Sequence, residues 1–170
     1  MPTYTLIASS TVASPTNMVT FSSIPSTYTD LVLRLSVRST TGTAPAYFLF
    51  NTDTFTSTGY NFTALIGNGT TATSQVVGNF GAGLYYQNVN TQTANTFSSV
   101  EIYIPNYALN TIRPSSVFPV VENNSTTATI RAIAQSHTVA QAINRLNLFP
   151  DAGNNFDVGS SFYLYGIANS

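Results

Sequence analysis

The run DLVLRLSV, Asp30 to Val37, alternates with a period of two. Leu31, Leu33, Leu35 and Val37 share one parity. Arg34, Ser36 and the next arginine, Arg38, share the other with Val32. Successive side chains of a β-strand point to opposite faces, so this run reads as a half-buried strand with its leucines inward. The pattern recurs along the chain. Val100, Ile102 and Ile104 alternate with Glu101 and Tyr103. Ala128, Ile130, Ala132 and Ala134 alternate with Thr129, Arg131 and Gln135. In each case the apolar set is expected to face inward. No segment carries a sustained helical repeat, and Ala140 to Leu148 holds one helical turn at most before Pro150.

Turn signals separate the alternating runs. Strands are expected over 4–8, 18–21, 31–37, 47–50, 60–65, 75–86, 97–104, 117–121, 127–135, 143–149 and 161–167. Gly67-Asn68-Gly69 marks a tight turn. Gly78, Gly81 and Gly83 interrupt 75–86, which reads as one bent or bulged strand, and Pro119 marks an edge or a bulge. Many short strands at this spacing predict an all-β fold, a single antiparallel β-sandwich that is jelly-roll-like. With no linker-like break and no internal repeat, residues 1–170 are expected to form one domain.

The polar positions are filled by Ser, Thr and Asn, because charged residues make up only 6% of the chain. About 25% is usual. All five basic residues are arginines, the net charge is −1, and no basic stripe exists to neutralise phosphates. Nucleic acid is therefore not an expected partner. A monomer this poor in charge has little electrostatic protection against association, which suits a surface held in an assembly. There is no cysteine, hence no disulfide and no thiolate metal site. MPTYTLIASST lacks the basic and long apolar segments of a secretory signal, and no run reaches membrane-spanning length, so no membrane partner is expected.

Three segments carry a resemblance: VTFSSIPSTYTDLVLRLSVRS (Val19 to Ser39), FNTDTFTSTGYNF (Phe50 to Phe62) and NNFDVGSSFYLYGI (Asn154 to Ile167). In this order they resemble a family of small virion proteins of tailed bacteriophages, frequent in phages of aquatic bacteria. The ending from Ser160 to Ile167 is the most specific part. The segment from Asn68 to Ala94 has no counterpart in that resemblance, and the family carries more Lys and Asp than this chain. The resemblance implies an all-β virion surface protein, either a capsid decoration protein or part of a head or tail fibre, and no enzymatic activity.

Several residues stand out as candidate sites. Arg34 and Arg38 lie on one parity, roughly 13 Å apart along a strand. They read as an intersubunit pairing strip, or as charges protecting a solvated edge. Tyr163 and Tyr165 share the parity opposite Phe162 and Leu164, so the last strand is apolar on both faces, as expected of a central strand or a subunit contact. Asp151, Asn154, Asn155 and Asp157 place oxygen ligands in one loop, which reads as a calcium site or an Asn/Gly turn. The single histidine, His137, has no nucleophile motif around it and is placed at a strand end. Glu101 and Glu122 are the pair a glycosidase would need to face across a cleft.

The expected function is thus structural: a capsid decoration (cement) protein on the outer surface of the virion, assembled in the host cytoplasm. It would bind its own copies as a homo-oligomer, with a trimer the expected form, and bind the phage major capsid protein. No cofactor is expected. The alternative is a fibre or tail-associated module recognising a host surface glycan through tyrosines. No shaft or attachment segment is read in this sequence, whose first strand is expected at Tyr4, so a free-standing protein is the expected form, although a separate chain could supply a shaft.

Overall fold

The computed structural model describes residues 3–42, 44–52, 59–122 and 127–168. They form twelve strands and no helix. The strands are β1 (Thr3–Thr11), β2 (Val19–Phe21), β3 (Asp30–Val37), β4 (Pro45–Phe50), β5 (Tyr60–Gly67), β6 (Ala72–Phe80), β7 (Gly83–Tyr86), β8 (Ser98–Ile104), β9 (Arg113–Glu122), β10 (Ala128–His137), β11 (Leu146–Pro150) and β12 (Ser161–Ala168). An eight-stranded sheet runs β1-β12-β3-β8-β9-β10-β5-β6, and a four-stranded sheet runs β2-β11-β4-β7. Within both sheets every strand pair is antiparallel. The first strand pairs with the last and β2 with β11, so the chain wraps as nested pairs from its two ends, as a jelly roll does.

The core fills the space between the sheets. Leu31, Leu33 and Leu35 of β3, Ile102 and Ile104 of β8, and Phe162 and Leu164 of β12 are buried from the large sheet. Phe48 and Phe50 of β4 and Leu146 and Leu148 of β11 meet them from the small sheet. Alternating inward residues from two facing sheets are what hold a sandwich together. The expected inward residues of β3 and of β8 are all buried, and Asp30, Val32 and Ser98 are buried with them.

Three expectations need correction. The segment 75–86 is two strands in different sheets: β6 is an edge of the large sheet and β7 an edge of the small one. The chain crosses at Gly81-Ala82, and a Cβ on Gly83 would stand 2.3 Å from the Phe48 ring, so the glycine lets β7 lie against that ring. Pro119 is in neither an edge strand nor an unpaired bulge. It faces Val100 inside β9, and the pairing with β10 runs through Ile130↔Val120 and Ile133↔Val117, stepping over the proline, which has no N–H to donate.

The third correction concerns β10. Ile133, Gln135 and His137 are buried and Arg131 is turned inward, while Ile130, Ala132 and Ala134 face outward. Gln135 and Arg131 each have a defined contact inside. The Gln135 amide accepts from Leu84 N at 2.8 Å and donates to Leu84 O at 2.6 Å, tying the large sheet to β7. The Arg131 guanidinium stacks 3.5 Å over the Tyr86 ring. A satisfied amide and a stacked guanidinium can be buried where unpaired ones cannot.

Candidate functional site: the open face of the large sheet

One face of the eight-stranded sheet packs on the core, and the other is not covered by any described element. Its two halves differ in chemistry. Across β1, β12, β3 and β8 the outward residues are mostly tyrosines, serines and one ion pair, with exposed Leu6 on the edge strand and Val32 buried beneath the tyrosines. Arg34 sits between Tyr163 of β12 and Glu101 of β8 in register, and its Nε is 3.3 Å from Glu101 Oε2. The guanidinium also lies 5.8 Å from the Tyr4 ring centroid, and Tyr4 meets Tyr165 edge-on at 6.3 Å. A hollow of about 430 Å³ opens over Arg34, Glu101, Tyr163 and the hydroxyls of Ser36, Ser99 and Ser161. Both members of the ion pair are more than half exposed, so it adds little to stability and remains available to a partner.

Across β9, β10, β5 and β6 the outward residues are apolar or small. Phe118 is 48% exposed, Ile130 44%, Leu65 62% and Val76 75%. Ala132 and Ala134 lie between them. Two shallow hollows, of about 430 and about 770 Å³, share Leu65, Phe118 and Ala132 in their walls. Monomeric surfaces carry single exposed apolar residues routinely, but a contiguous set of large ones marks a contact surface. Ile130 escaped the sequence reading because β10 is turned over relative to expectation, and the strands of Leu65, Val76 and Phe118 carry no alternation that assigns a face. The available signal was Ile133, which shares the parity of Arg131, Gln135 and His137.

Arg38 does not share the open face with Arg34. The strand ends at Val37, and Arg38 turns into the molecule, 5% exposed. Its Nη1 donates to Thr93 O at 2.9 Å and Thr96 O at 3.0 Å, its Nη2 to Gln92 O at 3.3 Å, and its Nε lies 3.6 Å from Asp157 Oδ2. The guanidinium fork thereby clamps the 88–97 loop and the 151–159 loop together from one point. The paired arginine strip is corrected to one exposed arginine and one internal clamp. Tyr163 and Tyr165 do face outward on β12, one strand in from the edge, with Phe162 and Leu164 buried beneath.

The calcium-loop residues serve the turn. Asp151 Oδ1 accepts from Ala152 N and Asp157 Oδ1 from Val158 N, each at 2.9 Å, while the Asn155 carbonyl accepts from Thr40 N. Among the described residues no three His, Cys, Asp or Glu side chains group as metal ligands would. Glu122 is bound by Thr93 N and Oγ1 at the end of β9, whereas Glu101 lies beside Phe118 on the open face. Phe118 to Glu122 spans about 13 Å of strand, wider than a hydrolytic carboxylate pair.

His137 ends β10, as expected, but is buried in the core rather than exposed in a loop. Its ring lies 4.5 Å from the Tyr60 ring and 5.2 Å from the Phe50 ring. Burial, with the nearby Arg113 charge, lowers its pKa to about 4. A histidine so held is neutral and packed.

The residues that carry the phage resemblance are those that make the fold. A Cβ on Gly166 would be 2.3 Å from Tyr28 Cγ, so the Tyr of the first segment packs on the Gly of the last. Phe156 and Phe162 pack at 4.9 Å, and Ser160 Oγ accepts from Arg38 N at 3.1 Å. In the middle segment Tyr60 Oη accepts from Phe50 N, and the Asn51 side chain bridges Asn144 and Arg145. Asp53 of that segment lies outside the described residues. No protein-family model, curated protein or solved structure matches this chain.

Proposed function

We propose that this protein is a structural component of a bacteriophage virion, a decoration protein that sits on the outer capsid surface and binds both its own copies and the major capsid protein. The observation that carries this reading is the open face of the large sheet. A sandwich of this size has covered one side of eight strands and left the other free. It offers a tyrosine-and-arginine half and an apolar half side by side on one rigid slab. Two adjacent contact surfaces let a single domain bridge neighbours, which is the mechanical task of a cement protein. The low charge supports it, since closely spaced copies repel little and few ions are dehydrated on contact. Nothing in this task requires catalysis, and we read the chain as a non-enzyme without a cofactor. The resemblance of the three segments supplies the virion setting.

Gold-labelled antibody on whole virions tests the proposal. Label spread over the head is expected, and label confined to the tail or fibre tips would overturn the decoration reading. A second reading is favoured by the hollow at Arg34, Glu101 and Tyr163, where an aromatic face, a charged pair and three hydroxyls converge. Such a set suits a glycan on a host surface. Retention of the protein on host-derived polysaccharide, lost in Tyr163→Ala, would favour that reading.

A further inference from the structure

The outward residues of β9, β10, β5 and β6 form ordered rows across the strands. In one row Phe118 falls beside Ala132, which pairs with Leu65, which pairs with Ser74. In the next, Ile130 pairs with Gly67, and a Cβ on that glycine would stand 3.2 Å from Ile130 Cγ2, so the isoleucine leans across it. In the third, Ala134 pairs with Thr63 and Thr63 with Val76. Leu65 thus stands between alanine and serine and Ile130 between Gly67 and Val120, while Val76 stands beside Thr63, and the two hollows lie among them. Alternating large and small positions is how facing sheets interdigitate.

We infer that this half-face packs against the same half-face of a second copy of the chain, making a two-fold pair of sandwiches joined through their large sheets. Charge selects this occupant. The rows named above hold no charged residue; the Arg34–Glu101 pair stands at the border, where Glu101 adjoins Phe118 and forms one wall of the larger hollow. A charged partner would be dehydrated there without compensation, whereas a second copy brings the same uncharged rows. A two-fold contact is isologous, so each knob meets the partner's hollow twice. The arrangement at the border is that of an apolar centre with a polar rim.

The area suits a weak pair. Four strands about 4.8 Å apart, with three rows covering about 20 Å along them, give roughly 390 Å² in projection, and upright side chains raise the accessible area to roughly 500 Å² per copy. Two copies would remove roughly 1,000 Å² from water, the low end for a specific interface. Affinity in the micromolar range or weaker is expected, enough where copies are crowded on a shell. The inference rests on the self-association part of the proposed function and is measured without any capsid, so pairing and virion location can fail separately.

Sedimentation equilibrium of the full chain, from about 1 to about 500 µM, covers the affinity this area predicts. A reversible monomer–dimer equilibrium is expected. Leu65→Asp and Phe118→Asp each place a charge twice in the contact and are expected to weaken it at least about 100-fold. Leu109→Asp, exposed in the turn between β8 and β9 and outside the open face, should leave the dimer intact. Circular dichroism and a thermal melt check that the variants fold, and the milder Leu65→Thr serves if an aspartate variant does not. The inference is overturned by a monomer over the whole range, by a dimer indifferent to these substitutions, or by a trimer. Vesicle flotation of a monomeric chain that depends on Leu65 and Phe118 would overturn it in favour of a lipid surface.

Discussion

Acidification should destabilise this protein through His137. His137 faces Arg113 across β9 and Tyr60 across β5, and Phe50 closes the space from the small sheet. Arg113 is itself buried, its guanidinium donating to the carbonyls of Gln141, Asn106 and Leu109. Adding a proton to His137 would place a second cation beside it, away from water. The folded pKa is therefore about 4, below the ordinary 6.5. The sign follows directly: between these values the unfolded chain binds the proton and the folded chain does not. Stability is then complete above about pH 6.5, is lost as pH falls toward 4, and this contribution levels off below that. Linkage gives a loss of about 2 kcal/mol between about pH 7 and pH 4.5. Urea titrations at each pH should show the midpoint falling by about 1 M over that range. His137→Phe keeps the ring contacts and cannot titrate, so its midpoint should fall less, by the His137 share. Groups common to both proteins cancel in the difference. Parallel profiles for wild type and variant would refute the argument.

The two arginines of the β3 region should separate cleanly in thermal melts. Arg38→Ala strands three carbonyls and Asp157 and is expected to cost about 3–5 kcal/mol, whereas Arg34→Ala should cost less than about 1 kcal/mol because its ion pair is exposed. Gln135→Leu removes both bonds to the Leu84 backbone, for a loss of about 2–3 kcal/mol, and hydrogen exchange at the Leu84 amide should accelerate more than at Ile102. Gly166→Ala drives a methyl into Tyr28 at Cγ, an atom the ring cannot swing away, and a loss of about 1–3 kcal/mol in a denaturant titration is expected.

Strand periodicity was legible wherever one face was uniformly apolar. In β3 and β8 every inward position but Ser98 is Leu, Ile or Val, so parity alone identifies the buried face. It failed in β10, where the inward set is Arg131, Ile133, Gln135 and His137 and the outward set is alanine and isoleucine. Hydropathy ranks the outward set as the core, yet the inward residues are held by contacts with β4, β7, β9 and the residue after β7's glycine, all distant in sequence. No local pattern encodes those partners. The sheet switch between β6 and β7 was hidden for a related reason. Its glycines signalled a bend, but only the position of the Phe48 ring decides that the bend leads to another sheet.

The site follows the same division. Arg34, Tyr163 and Tyr165 were singled out by residue type on an alternating strand, and their outward placement needed only the parity of β3 and β12. Arg38 has that parity too, but parity stops where the strand stops, and one residue past Val37 the backbone turns the guanidinium toward loop carbonyls more than 50 residues away in sequence. The apolar half of the open face is the mirror image of the β10 error: every residue wrongly assigned to the core there became a surface residue. Buried polar groups on one side of a strand and exposed apolar groups on the other are consequences of one arrangement. The inward polar set fixes the sandwich by bonds to defined partners, so the outward set is released from folding and is free to serve contact. Substitutions should divide accordingly. Changes at Gln135 or Arg131 should lower stability and, through it, association, whereas changes at Ile130 or Leu65 should alter association at constant Tm. A variant such as Ile130→Ser that lowered Tm as much as Gln135→Leu would show that the outward set holds the fold as well, and would remove the reason for assigning it to a partner.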